Sequence, residues 1–184
     1  MKTILLFTCL LFLSCQAENK KPATPAIDEQ FQTFLNQFPK KDLPLEIVGC
    51  AIAFKTLSEL KKEISLPYEK NLYYVYSVIP SKGDYISTIT LAAADCFIPI
   101  LTTYKLSGEK IDSKAIATNN CNDGPCSDCK QTVVIDKDSS IKIINYFNYF
   151  DCDENGNIKS DQVTKREVAE EVKLTAEGAI LIGN

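Results

Sequence analysis

Eight cysteines and no histidine set the chemical range of this 184-residue chain. Three of the cysteines crowd into Cys121-Asn-Asp-Gly-Pro-Cys126-Ser-Asp-Cys129. Close cysteines can ligate zinc, or work as a redox Cys-x-x-Cys pair when a helix start lowers one thiol pKa. Zinc would need a fourth ligand that no imidazole can supply, and Gly124-Pro125 places the cluster in a polar turn and not at a helix start. A stapled loop is the expectation, with no metal and no other cofactor. Lack of histidine also removes the Ser-His-Asp and Cys-His arrangements and the ordinary imidazole base. Carboxylate, lysine or tyrosine chemistry would remain, as in a carboxylate-dependent hydrolase, and it needs a pocket that converging side chains define. With no catalytic motif in view, the expectation is a binding or structural module and not an enzyme. Twenty basic against twenty-four acidic residues, a net charge of −4, argue against a nucleic-acid partner.

The start of the chain has a different character. Met1-Lys2 precedes an apolar run from Thr3 to Leu13, which closes on Phe12-Leu13-Ser14-Cys15 and turns polar at Gln16-Ala17-Glu18-Asn19-Lys20-Lys21. The run is too short to cross a bilayer as a helix. It resembles a bacterial lipoprotein signal peptide, departing from that pattern where Phe12 and Leu13 stand in place of leucine and a small residue. The resemblance implies export, removal of residues 1–14, acylation of Cys15 and attachment to the membrane. An aspartate directly after such a cysteine marks inner-membrane retention in Gram-negative lipoproteins, so Gln16 points to the outer membrane of the cell envelope. Cys9 would leave with the signal. Six cysteines remain: Cys50, Cys96, Cys121, Cys126, Cys129 and Cys152, an even number that reads as a disulfide framework outside the cytoplasm. Cys50 and Cys96 lie in apolar stretches and form the most natural pair, leaving Cys152 to join one of the loop cysteines while the other two close on each other.

Residues 15–26 are rich in Lys, Asn, Pro, Ala and Thr and read as a tether. Residues 27–184 are long enough for one domain with its own core. Phe31, Phe34, Leu35 and Phe38 recur at helical spacing behind Asp28 as cap, and Pro39 ends the segment. A second helix is expected at 56–64, where Leu57, Leu60 and Ile64 share a face, and a buried strand at 45–54. From residue 72 the pattern turns to strands at 72–79, 85–92, 97–106, 132–136, 141–150, 163–174 and 179–182, separated by turn residues, with 163–174 ambiguous because its Glu, Lys and Ala favour a helix while Val168, Val172 and Leu174 fit period two. Short turns imply antiparallel pairing. The expected fold is α+β: an N-terminal helix packed on one predominantly antiparallel meander sheet, stapled by disulfides.

The lipobox, the segment FQTFLNQFPKKDLP and the turns LSGEKID, DENGNIKS and LTAEGAIL together make the chain similar to a broad class of small lipoproteins from Gram-negative bacteria. That resemblance implies the fold and carries over no functional residue. Two further features invite a ligand. Asp151, Asp153, Asn155 and Gly156 imitate the first half of a calcium loop spanning 151–162, but Gln162 occupies the place of the bidentate glutamate. A hairpin turn is the plainer expectation. The aromatic runs Tyr73, Tyr74, Tyr76 and Tyr146, Phe147, Tyr149, Phe150 would bind a saccharide or an envelope protein wherever tyrosines stay on an open face.

Overall fold

A computed structural model describes residues 26–65, 67–71, 73–81, 83–117 and 125–183. These residues form ten strands in two five-stranded sheets, in which every paired neighbour is antiparallel. One sheet is built from β2 (Ser58–Glu59), β3 (Tyr74–Ile79), β4 (Tyr85–Ala92), β5 (Ile98–Lys105) and β6 (Lys110–Ala115) in chain order. The other joins β1 (Leu45–Ile47) to β7 (Ser127–Ile135), then β8 (Ile141–Cys152), β9 (Ile158–Leu174) and β10 (Ile180–Gly183). Helix is confined to α1 (Glu29–Leu35), α2 (Lys62–Ser65) and two 3-10 turns at Gly49–Ala51 and Phe54–Thr56.

The period-two side-chain pattern accounts for where the two sheets bury their apolar groups. Ile89 and Leu91 of β4 and Leu101 of β5 meet Val133 and Ile135 of β7, Ile141 and Ile143 of β8, Val172 of β9 and Ile180 of β10 in one core shared by both sheets. The opposite parity of the first sheet gives a second cluster, where Val75, Tyr104 and the half-buried Val78 and Ile86 meet Phe31, Phe34, Leu35, Phe38 and Leu60. Asp28 caps α1 by accepting the backbone N–H groups of Gln30 and Phe31, each at 3.0 Å. Gly108, in the turn after β5, has φ +86°, and a Cβ there would lie 2.6 Å from Tyr68 and 3.0 Å from Phe31. Only glycine fits that turn against the aromatic cluster.

Side chains complete the join between the sheets at β6 and β10. The backbone N–H of Ile180 donates to the Asp112 carboxylate at 2.9 Å, and its carbonyl accepts from Lys114 Nζ. Thr103 Oγ1 donates to the Gly178 carbonyl at 2.6 Å. The second sheet also outgrows the shared core. Across β7, β8 and β9, Gln131 Nε2 donates to Asn145 Oδ1 at 2.7 Å and Asn145 Nδ2 to Glu170 at 3.5 Å. This polar row marks the core's limit. Beyond it the three strands run on to Ser127, Cys152 and Ile158, with Tyr146 and Tyr149 each 38% exposed. β9 meets β10 only from Glu171 to Leu174, so its other edge has no strand neighbour over 158–170 among the described residues.

The expected α+β architecture with one sheet is therefore corrected to a mostly antiparallel β fold with two sheets. β3, β4 and β5 share a sheet as expected, but the strand at 141–150 belongs to the other. The helix expected at 56–64 is instead β2 followed by the four-residue α2. Nine residues make a marginal helix, whereas pairing Ser58 with Val75 and Glu59 with Tyr74 supplies backbone partners directly. The strand expected at 45–54 stops at Ile47 and gives way to 3-10 turns. The polar segment Lys110–Ala115, where no strand is expected and which overlaps the turn LSGEKID, is a full edge strand paired with β5.

Candidate functional site

The largest concave surface among the clefts described, about 580 Å³, lies where α1 ends over β3 and β4. Its apolar walls come from Leu35 and Phe38 on one side and Val78, Ile79 and Ile86 on the other. Local sequence explains the placement. The helical stripe turns Leu35 toward the sheet, and the backbone N–H of Phe38 donates to the Leu35 carbonyl at 3.0 Å, closing the last turn before Pro39. Gln37 then ties this corner to both ends of α2: its Oε1 accepts the N–H of Lys61, just before the helix, at 2.7 Å and its Nε2 donates to Oγ of Ser65, its last residue, at 3.2 Å. Ile27 stands at the mouth, 38% exposed.

The polar rim consists of Gln32, Asn36, Lys40, Lys41, Asp42 and Ser81. Gln32 Nε2 donates to Asn36 Oδ1 at 3.0 Å, and the Ser81 hydroxyl is engaged by the Gly83 and Tyr85 carbonyls. Lys41 Nζ lies 3.8 Å above the centre of the Tyr76 ring, a cation–π contact that fixes it at the groove edge. Partial burial there holds its ammonium below the usual lysine pKa. Volume, apolar walls and a few placed polar groups are the ordinary attributes of a small-ligand site. Two smaller clefts, each about 180 Å³, lie beside the Cys50–Cys96 bridge and near the turn at Asp138–Ser140.

Cys15 and Cys121 lie outside the described residues, as do the segment 1–14 and all but the end of the expected tether. Cys50 is bonded to Cys96, with Cα atoms 4.5 Å apart across 46 positions, and Cys126 to Cys152, with Cα atoms 6.0 Å apart across 26 positions. Cys129 is also disulfide-bonded. The apolar surroundings assigned to Cys50 need correction: it is exposed in the 3-10 turn after β1. Cys129 needs a second one, whereas Cys126 stays in the turn before β7. Cys129 sits on β7, opposite Phe147, because the strand begins at Ser127 and not at 132. Among the described residues, no group of three or more His, Cys, Asp or Glu side chains is placed to hold a metal ion.

The calcium-like segment is a β-hairpin turn between β8 and β9. Asp153 Oδ1 accepts the backbone N–H groups of Asn155 and Asn157, each at 2.9 Å, and Gly156 takes φ +82°. Hydrogen bonds led by the Asn157 side chain hold the Asp153 carboxyl below its usual pKa. The aromatic runs separate by location. Tyr76 is buried, Tyr73 and Tyr74 are half-buried, and Tyr146 and Tyr149 are exposed on opposite faces of β8. Phe147 and Tyr149 share a face, their ring planes 11° apart and centroids 6.0 Å apart. The groove itself was missed in the sequence. Lys40, Lys41 and Asp42 after a helix-ending proline carry a weak signal of a charged rim, but its opposite wall comes from strands some forty residues further on.

No protein-family description, curated protein or solved structure matches this chain. Among the described residues, no helix is long and apolar enough to cross a membrane.

Proposed function

We propose that the protein is an exported lipoprotein, acylated at Cys15 and held in the cell envelope, most simply at the outer membrane, where it acts as a binding module without a catalytic centre. The observation that carries the binding role is the groove of about 580 Å³, with apolar walls and a rim of two lysines and one aspartate. In this reading α1 serves as one wall and Asp42 is the rim's lone described carboxylate, which favours recognition over paired-carboxylate hydrolysis. The bridges Cys50–Cys96 and Cys126–Cys152 support an oxidising compartment, where such bonds persist. Metabolic labelling with palmitate tests the address. Label should enter the wild-type chain and vanish in Cys15→Ser, which should also leave the membrane fraction. An unlabelled wild-type chain, or a variant still in that fraction, overturns the anchor.

A second reading places a saccharide on the outer part of β8. It is favoured by the parallel Phe147 and Tyr149 rings, with Arg166 opposite Phe147 and Thr164 opposite Tyr149 on β9. Rings with polar neighbours suit stacking against sugar C–H faces.

A further inference from the structure

We propose that the groove beside α1 takes a single-chain anionic amphiphile of the fatty-acid class, its alkyl chain along Leu35, Phe38, Val78 and Ile86 and its carboxylate at Lys40 and Lys41. The proposal rests on the groove being the protein's binding surface, and it names the ligand chemistry. The walls offer side chains with no hydrogen-bonding group, which suits a hydrocarbon and not a peptide or sugar. The rim supplies charge of one predominant sign. Neither lysine has a carboxylate partner among the described residues, while the neutral polar groups already bond one another or the backbone. Asp42 offsets one positive charge and leaves a net excess of one. An anion at this place meets a Lys41 ammonium that is already partly desolvated and oriented, so less hydration is lost on pairing.

Chain geometry adds an independent constraint. Ile27 lines the mouth, and twelve positions separate it from Cys15. That stretch spans at most about 40 Å whatever its conformation. An acyl group on Cys15 would keep the mouth within that distance of the bilayer, where single-chain amphiphiles partition.

The experiment uses the full chain carrying Cys15→Ser, purified without detergent, and the fluorescent polyene cis-parinaric acid as probe. Saturable binding of one equivalent is expected, displaced by palmitate and not by hexadecanol, which has the same chain length and no charge. Ile27→Glu, at an exposed position that folding tolerates, and the pair Lys40→Glu with Lys41→Glu should each weaken binding at least about tenfold, about 1.4 kcal/mol. Arginine at both lysine positions should restore it. Melting curves verify that every variant is folded. Absence of saturable binding, or equal displacement by hexadecanol, overturns the fatty-acid assignment. Binding lost in Ile27→Glu but indifferent to lysine charge overturns that assignment and leaves the groove as the binding surface. Binding that no variant alters overturns both.

Discussion

The two halves of β8 share one backbone ladder and differ in nearly everything else. From Ile141 to Asn145 the strand alternates buried and half-buried side chains, with Ile143 only 4% exposed in the core that both sheets share. From Tyr146 onward no residue of the strand belongs to that core, yet pairing continues with β7 as far as Tyr149 and with β9 as far as Phe150. Cross-strand rows replace burial there. Lys130 and Glu167 flank Tyr146, and Asp128 and Lys165 flank Asn148, whose Nδ2 donates to Asp128 at 2.7 Å. Such pairs contribute tenths of a kcal/mol each, whereas a buried isoleucine contributes several-fold more. Strand continuity is thus no measure of stability along its length.

Truncation on either side of Asn145 breaks the comparison most directly. Ile143→Ala should cost about 2–5 kcal/mol, because a cavity forms where neither sheet can collapse. Tyr146→Ala, three residues on, should stay within about 0.5 kcal/mol. Urea unfolding monitored by circular dichroism reads both, and equal losses would mean that the outer half is packed against something.

The two described bridges sharpen the contrast. Replacing Cys50 and Cys96 together by serine should lower global stability by up to about 4 kcal/mol, the loop-closure value for 46 positions. Removing Cys126 and Cys152 should act mainly on the outer strands that this bridge clamps. Hydrogen exchange should quicken at residues 127–131 and 146–152 by much more than at Val133 and Ile143.

The smallest effect is reserved for alkaline pH. Burial raises the phenol pKa values of Tyr76, Tyr85 and, most strongly, Tyr104 above 10.0. Because the folded state holds these protons more tightly than the unfolded chain, their contribution is complete below pH 10 and declines as pH rises beyond it. Phenolate absorbance should therefore grow together with unfolding, and Tyr104→Phe should soften the decline. Free titration of those tyrosines in a folded chain would contradict their place in the core.

The comparison also explains what could be read from the residues. Alternation and turn chemistry located β4, β5, β8 and the hairpin at 153–157, since both are local properties. Period two says which residues share a face and is silent about which strand lies alongside. Hence the assignment of 141–150 to the first sheet failed: β1 and β7 meet with some eighty residues between them. Lys110–Ala115 escaped notice because an edge strand with polar side chains carries little hydrophobic pattern. The groove was illegible for the same reason as the sheet partition, since its walls come from segments distant in the chain.

The edge of β9 that has no strand neighbour among the described residues bears on how copies of this protein would behave when crowded. A long row of free N–H and C=O groups is a template for pairing with another strand, the first step toward precipitation or fibre growth. Here that row runs through Lys159, Lys165, Arg166, Glu167 and Glu170, in a segment whose neutral members include Ser160, Gln162 and Thr164. Two such edges approaching each other must strip water from closely spaced charges before any backbone bond forms. Charge along this strand should therefore oppose zipping between copies in concentrated solution.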